Sequence, residues 1–250
     1  MTFLLVPETS YIVPVSVTAT NEAVGYPVAH LNVIDSHPYL RTYRSTTTGT
    51  INVDFDFGVS TVFAGVAIFN TNNPVIYIQT DDNAGFTSPT NIPGSPFTIT
   101  VHKQFRKFFV AASFTDRYIR IRTLVGDLPV GGAAFREIGQ IIFFSSTILF
   151  PRNPDDPFRE HIEREYERSG NNKWAINPGT LMTEWRFSRL PNAQITELLN
   201  IAVRGESSSF IMFENEGDNS ACSLLRIEDA ISFDREGITQ SVSFRAKEYI

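Results

Sequence analysis

The chain has 250 residues, of which 21 are Lys or Arg and 27 are Asp or Glu, giving a net charge of −6. This length is enough for one large β domain or two smaller ones with a substantial core. The acidic balance argues against a primary role in sequence-specific nucleic-acid binding, which needs Lys and Arg to neutralise phosphates. The single Cys222 excludes an intramolecular disulfide and any metal site built from several thiolates.

The amino-terminal stretch MTFLLVPETS has no basic segment, and its apolar run is only a few residues long. We therefore expect no signal peptide. No stretch approaches the roughly 18 consecutive apolar residues that a membrane-spanning helix needs, so we expect no membrane insertion. The expected place of synthesis is the cytoplasm.

Composition changes along the chain. Residues 1–150 carry 19 charged side chains and 15 of the 21 Phe, whereas the shorter segment 151–250 carries 29 charges. Between them, residues 151–157 read PRNPDDP, where three prolines disfavour a helix and interrupt any sheet. We predict a first domain at 1–150, a proline-rich linker at 151–157 and a second domain at 158–250.

The clearest strand signal lies between residues 51 and 58. Ile51, Val53, Phe55 and Phe57 alternate with Asn52, Asp54 and Asp56, the pattern of a strand with one buried and one solvated face. Gly58 is predicted to end this strand. A second strand, Val62–Phe69, is almost entirely apolar and is predicted to be covered on both faces.

The rest of the first part is predicted to be strands and turns. Tyr118–Arg122 alternates like a half-exposed strand, and 125–132 is predicted to be a loop. Short strands separated by Pro, Gly, Asn and Asp favour an antiparallel sandwich or jelly roll. Further strands are predicted at Ile12–Val17, Val75–Gln79, Phe97–Val101, Phe105–Ala111 and Glu137–Phe144.

The second part combines strands with one predicted helix, at 192–204. Asn192 can cap this helix, and Ile195, Leu198, Leu199 and Ala202 form one apolar stripe. The fold class is therefore mainly β, with two β domains and a helix in the second. Strands are predicted at Phe158–Arg168, Thr180–Leu190, Phe210–Glu214, Leu224–Glu228 and Ile238–Tyr249.

An acidic cluster lies on the predicted strand Phe158–Arg168. Glu163, Glu165 and Glu167 share a face of the predicted strand with His161. Paired carboxylates can act as acid and base, but a solvated strand face is the favoured interpretation because HExxH and a second nearby histidine are missing. The face could also line a channel for DNA, which it would repel.

The remaining sequence patterns do not predict a metal site or a catalytic site. Asp81–Gly85 begins like a calcium loop, but its twelfth position is Ile92 instead of a bidentate Glu, so a turn is predicted. The histidines are scattered, and no nucleophile elbow is recognisable. We expect no catalytic residue, no cofactor and no metal, and hence a protein that is not an enzyme.

Six segments of the first part form one pattern: residues 25–31 (GYPVAHL), 43–45 (YRS), 51–58, 64–72 (AGVAIFNTN), 117–121 (RYIRI) and 137–139 (EIG). This pattern resembles one in tail proteins of tailed bacteriophages that carry a discoidin-like, galactose-binding-like jelly roll. Tyr43 departs from the Trp that this family often has. The resemblance implies a galactose-binding-like jelly roll for the first domain.

In the second part, Leu181–Phe187 is followed by the Ile195–Ala202 helix. This pair of elements resembles the distal tail and baseplate-hub proteins of long-tailed phages. The resemblance implies a tail-tube-like sandwich and a structural role in the tail tip or baseplate of the virion. On this hypothesis, copies of the chain close into a ring, with a hexamer as the hypothesised form, around the DNA channel, beside tail-tube and baseplate proteins. Glu163, Glu165 and Glu167 would line its lumen.

The alternative function is a carbohydrate-binding module or a host-receptor adhesin. Because a jelly roll can present aromatic rings to sugars from its loops, Tyr39, Tyr43 and Phe86 are the candidate residues for a ligand or partner surface. A host surface glycan would then be the partner. The galactose-binding-like fold also occurs in proteins that bind no sugar, so the fold alone does not identify a ligand.

Overall fold

The structure of the protein is a computed structural model. It describes residues 2–32, 42–99, 101–102, 105–151, 158–163, 166–168, 174–176, 180–203, 209–214, 222–227, 231–236 and 239–248.

The described residues form twenty strands, three short 3-10 helices and one α-helix. The 3-10 helices are Glu8–Ser10, Val28–Asn32 and Val130–Gly132, and the α-helix, α1, is Asn192–Val203. The strands are β1 Thr2–Pro7, β2 Tyr11–Ile12, β3 Ser16–Ala19, β4 Tyr43–Arg44, β5 Ile51–Thr71, β6 Val75–Asp81, β7 Thr90–Asn91, β8 Phe97–Thr98, β9 Val101–His102, β10 Phe105–Thr123, β11 Glu137–Phe144, β12 Ile148–Pro151, β13 Phe158–Glu163, β14 Tyr166–Arg168, β15 Trp174–Ile176, β16 Thr180–Leu190, β17 Phe210–Glu214, β18 Cys222–Ile227, β19 Ser232–Glu236 and β20 Thr239–Glu248.

The chain divides into two compact units. Strands β2 to β11 form one, which we call the sandwich unit. Strand β1, strands β12 to β20 and α1 form the other, which we call the helix-bearing unit. The predicted fold class is confirmed: the protein is mainly β, and its strands pair in antiparallel sheets.

The sandwich unit is built on two very long strands, β5 and β10, which pair with each other along most of their length. A straight strand of 21 residues would be about 70 Å long. The two ends of β5 nevertheless converge, because the Arg136 side chain bonds both to the Gly49 carbonyl before β5, at 2.8 Å, and to Asn73 after it, at 3.0 Å. Strand β5 therefore folds back on itself and belongs to two layers.

The fold in β5 lies at Gly58, where φ is +78°. In the pairing with β10, Asp56 lies opposite Tyr118 and Thr61 lies opposite Asp116, so four residues of β5 face one residue of β10. The prediction that Gly58 ends the strand is therefore wrong, because the backbone bulges and bends there while the pairing continues. Likewise, the predicted strands Phe105–Ala111 and Tyr118–Arg122 are both parts of β10.

The bend places two layers face to face around a phenylalanine-rich core. One layer contains β3, the first half of β5, the second half of β10, β6 and β7; the other contains β11 with the remaining halves of β5 and β10. Phe55 and Phe57 of the first layer lie 5.0 and 5.2 Å from Phe143 of the second, between ring centroids. The alternation predicted for Ile51–Phe57 is confirmed, since its apolar members are buried.

The helix-bearing unit contains an antiparallel sheet in the order β12-β1-β17-β18-β20-β16-β13, with β19 beside β20. Strand β1 lies inside this sheet, between β12 and β17. The predicted domain 1–150 therefore differs from the sandwich unit at both ends. The reason is burial: Phe3, Leu5 and Phe150 belong to the core of the helix-bearing unit. Pro151 ends β12, and the rest of the predicted linker lies outside the described residues.

Helix α1 occupies residues 192–203, close to the prediction, and Arg204 lies outside the described residues. The Pro191 carbonyl accepts the amide of Ile195 at 3.2 Å, so Pro191 precedes the first helical turn and Asn192 is already helical. The buried side chains are Ile195, Leu198 and Ile201, whereas the predicted stripe member Leu199 is 40% exposed. No helix in the described part of the chain is long and apolar enough to cross a membrane.

Candidate functional site

The outward side of the β3–β5–β10–β6–β7 layer carries polar side chains in cross-strand register, and we call this surface the polar face. Its middle row runs Thr18, Asp54, Arg120, Gln79 and Asn91 across five strands. Alternation explains it, since the residues between them point into the core. The two flanking rows are Ser16, Asp56, Tyr118 and Asp81 on one side, and Asn52, Arg122 and Tyr77 on the other.

The centre of the polar face is a bidentate ion pair between Arg120 and Asp54. Arg120 Nε donates to Asp54 Oδ1 at 2.6 Å, and its Nη2 donates to Oδ2 at 2.7 Å. The guanidinium carbon also lies 4.0 Å from the centroid of the Phe86 ring, which comes from the loop after β6. Two contacts of different kinds thus hold Arg120 in one orientation.

A second bidentate pair lies beside the bend in β5. Arg117 Nε donates to Asp56 Oδ1 at 2.8 Å, and its Nη2 donates to Oδ2 at 3.0 Å. The amide of Gly58 also donates to Asp56 Oδ1, at 2.7 Å. The hydrogen bonds from Arg117 are the main reason that the pKa of Asp56 is lowered, with the Gly58 amide acting in the same direction. Asp56 is therefore a fixed carboxylate at neutral pH.

Three polar atoms of the polar face are buried and have no hydrogen-bond partner among the described residues. They are Asn52 Oδ1, Arg122 Nε and, one pair further along β6, Gln79 Oε1. Register places Arg122 opposite Asn52 on one side and Tyr77 on the other. Buried polar atoms are rarely left unpaired in folded proteins, so these three atoms mark positions where water or a polar ligand completes the hydrogen bonding.

The loop after β6 is a turn organised by Asp81. Asp81 Oδ1 accepts the amide of Asn83, and Oδ2 accepts the amide of Ser88, each at 2.9 Å. Both oxygens are thereby committed to the backbone, which agrees with the predicted turn. Within the described residues, no group of three or more His, Cys, Asp or Glu side chains is arranged to hold a metal ion.

At one end of the sandwich unit, the buried side chain of Arg136 holds the loops together. Its guanidinium is 0% exposed, and burial lowers its pKa, with the charge of Asp127 opposing that shift. All of its described acceptors belong to loops, so this arginine has a structural role. These acceptors are the carbonyl oxygens of Thr48, Gly49, Leu124 and Asp127 and the side-chain oxygen of Asn73.

Beside it, Arg44 forms a stacked ion pair at the surface. Its Nε lies 2.8 Å from Glu137 Oε2, and its guanidinium carbon lies 4.2 Å from the Tyr26 ring and 4.8 Å from the Phe135 ring. The carboxylate and both rings already occupy the sides of the guanidinium. We therefore assign this group to the support of the loops.

Two of the three aromatic residues proposed from the sequence as a ligand surface, Tyr43 and Phe86, are buried. Tyr43 is 0% exposed, and its hydroxyl donates to the Thr20 carbonyl at 2.8 Å. Phe86 is 7% exposed and lies against Arg120. Neither can present a free ring to a sugar, because packing within the unit covers both. Tyr39 lies outside the described residues.

The acidic cluster of the second part is only partly described. Glu163 ends β13, Glu167 lies in β14, and Glu165 falls between them outside the described residues. The side chains of Glu163, Glu167 and His161 are also outside the description. Their predicted position on a channel wall therefore stays a prediction.

Comparisons with known proteins do not identify the role of this chain. No protein-family model and no curated protein matches it. Among solved structures it is similar to chitosan-binding module 1 of a chitosanase/glucanase from Paenibacillus sp. IK-5, with a TM-score of 0.42, 14% identity, 53% of this chain covered and 96% of that one. It is similar to the family 32 carbohydrate-binding module of Clostridium perfringens NanJ in complex with galactose, with a TM-score of 0.41, 13% identity, and 57% and 98% covered.

A third similar structure is reduced XRCC1 bound to the catalytic domain of DNA polymerase β, with a TM-score of 0.45, 11% identity, and 54% and 99% covered. The molecules bound in these solved structures thus include a sugar and a protein. Likeness at this level of identity and TM-score decides neither the ligand nor the role of this chain.

In the sequence, the polar face corresponds to two separate segments in which polar and apolar residues alternate. Asn52, Asp54 and Asp56 occupy the solvated face of one predicted strand, and Arg120 and Arg122 occupy that of another. Charge complementarity between the two alternations was the signal that could have paired the strands. Gln79 had no such signal, because its strand shows no regular alternation.

Proposed function

We propose that the sandwich unit is a non-catalytic module that binds carbohydrate through the polar face. The observation that carries this proposal is the patch of unpartnered polar atoms on Asn52, Arg122 and Gln79, beside two rigid Asp–Arg pairs. The half-buried side chains of Tyr77 and Tyr118 lie on the same face.

Carbohydrate fits this patch because each sugar hydroxyl is both a donor and an acceptor. The amide oxygens of Asn52 and Gln79 need donors, and the Arg122 guanidinium needs an acceptor. The neighbouring pairs are already oriented, so binding would order few additional side chains, and less affinity would be lost to that ordering.

The test is a glycan-array screen of the intact protein, followed by calorimetric titration with each saccharide that binds. Asn52→Ala should weaken binding about fivefold to tenfold, since one hydrogen bond is worth about 1 kcal/mol. Asn200→Ala is the matched control, because Asn200 is exposed on α1 of the other unit. No binding to any glycan would contradict the proposal, and so would equal losses in the two variants.

We propose as a second candidate the structural role in a phage tail tip or baseplate, with the virion tail as its location. It is supported by the sequence resemblance and by one structural feature. Among the described strands, β13 pairs with β16 alone and leaves its other edge open. An open strand edge can pair with a neighbouring copy, and repeated head-to-tail contacts close into a ring.

This second candidate is tested by the native mass of the purified protein together with negative-stain images. A ring with a central hole, with a hexamer as the hypothesised form, is expected if copies assemble by themselves or beside tail-tube and baseplate proteins. A monomer that also fails to join those proteins would contradict it. In an assembled ring, Glu163, Glu165 and Glu167 are expected at the lumen, and their appearance on the outer surface would overturn that part.

A further inference from the structure

The polar face contains three arginines, and they are not equivalent. Arg117 pairs with Asp56 and Arg120 pairs with Asp54, each through two hydrogen bonds. Arg122, the next outward residue after Arg120 on β10, has no carboxylate and no hydrogen-bond acceptor among the described residues. Arg122 is therefore the cation of this face whose charge is available to a ligand.

The surroundings of Arg122 favour an anion over a neutral acceptor. Its side chain is half-buried, and its Nε is buried without a partner, so the guanidinium has lost part of its hydration. A partly desolvated cation gains most from a charged acceptor. The planar guanidinium matches the two oxygens of a carboxylate, as the pairs on Arg117 and Arg120 show in the same sheet.

The neighbours of Arg122 restrict which anion fits. Asn52 Oδ1 and Gln79 Oε1 are acceptors without donors, and Gln79 is only 9% exposed. The amide nitrogen of Gln79 donates to Asn91 Oδ1 at 3.1 Å, and the buried oxygen of the same amide has no donor among the described residues. A fully ionised phosphate or sulfate would bring acceptor oxygens against these acceptors. A carboxylate next to hydroxyl groups satisfies the cation and both amides together.

We propose that this patch binds a sugar acid, with Arg122 pairing with the carboxylate and Asn52 and Gln79 accepting sugar hydroxyls. The inference rests on the proposed carbohydrate-binding function and adds its ligand class. Tyr77, opposite Arg122 in the sheet, borders the patch.

The experiment compares trigalacturonate with its methyl ester, which differs in charge but keeps the ring hydroxyls. Both are titrated calorimetrically into the intact protein at low ionic strength. The variants are Arg122→Gln, which removes the charge, and Arg122→Lys, which keeps the charge but not the planar fork. Arg186→Gln is the control, because Arg186 is exposed on β16 of the other unit. Circular dichroism checks that each variant is folded.

We expect the acid to bind more tightly than the ester by about tenfold to a hundredfold, the range for a charge-assisted pair. Arg122→Gln should abolish this preference, Arg122→Lys should retain part of it, and added salt should reduce it. Equal binding of acid and ester, unaffected by Arg122→Gln, would overturn the sugar-acid inference and leave carbohydrate binding standing. No binding of these or of any array saccharide would overturn both.

Discussion

At the scale of single residues, two arginines of the sandwich unit are used in opposite ways. Arg136 is fully buried and bonds to five loop acceptors. Arg122 is half-buried and its Nε has no partner among the described residues. The first residue stabilises the loop end, and the second is available for binding. Their chemistry is the same, so the difference comes from position in the fold.

Replacing Arg136 by Met should therefore destabilise the protein strongly. The change keeps the side-chain length but leaves buried carbonyl oxygens without donors, which should lower the free energy of unfolding by about 2–4 kcal/mol. Urea denaturation followed by far-ultraviolet circular dichroism measures this. Arg122→Met, the matched control, should cost about 0.5 kcal/mol or less. Equal losses in the two variants would contradict the structural role of Arg136.

The Asp56–Arg117 pair should make stability depend on pH. Because the folded-state pKa of Asp56 is lowered, its carboxylate stabilises the fold at pH values above the ordinary value of 3.8, and this contribution is lost as the pH falls through the folded pKa. Asp56→Asn should thus lower the urea midpoint at neutral pH. The difference from the original protein should shrink in acid below that ordinary value. If the difference stays constant down to the acid limit of folding, the lowered pKa is contradicted.

At the scale of elements, the sandwich depends on one strand serving two layers. The bend in β5 needs a left-handed residue at Gly58, and the cross-strand register changes there from one layer to the next. A Cβ atom at this position would lie 3.1 Å from Val15 Cγ2. Backbone conformation and local packing therefore both favour glycine at the bend.

Gly58→Ala should lower the free energy of unfolding by about 1–2 kcal/mol, the cost of placing a side chain in the left-handed region. Gly126→Ala is the matched control, since Gly126 is not left-handed and has open space around its Cβ position. That variant should be neutral or slightly stabilising. Thermal unfolding of both variants, compared at the same pH, measures the difference. An equally tolerant Gly58 would show that the bend does not depend on this conformation.

At the scale of the whole molecule, strand β1 belongs to the helix-bearing unit, although the other elements of that unit come from residues 148–250 of the chain. Phe3 of β1 is 2% exposed, and its ring centroid lies 4.9 Å from that of Trp185. Both tryptophans of the chain, at positions 174 and 185, lie in β15 and β16 of the helix-bearing unit. Tryptophan fluorescence therefore reports on this unit separately from the sandwich unit.

Phe3→Ala should lower the unfolding free energy of the helix-bearing unit by about 3–5 kcal/mol, since it removes a buried aromatic ring. The fluorescence transition in urea should move to lower denaturant. Leu4→Ala is the control, because Leu4 is only half-buried and points to the other side of β1. Its effect should be clearly smaller. A fluorescence transition unchanged by Phe3→Ala would contradict the place of β1 in this core.

The sequence by itself determined the local structure: the alternation of Ile51–Phe57, the strands Glu137–Phe144 and Thr180–Leu190, and the existence of the helix near residue 192. These depend on periodicity, which neighbouring residues along the chain express directly. The predicted helix stripe included Leu199 where the structure buries Ile201, because both residues are apolar and only the packing partner chooses between them.

Only the tertiary structure decided where the candidate site lies. It folded β5 at Gly58, moved β1 into the second unit, buried Tyr43 and Phe86, and aligned Asn52, Arg122 and Gln79 on one face. These facts depend on contacts between residues far apart in the chain. Strand register and the burial of an aromatic ring are settled by the free energy of the whole core, which no local pattern contains.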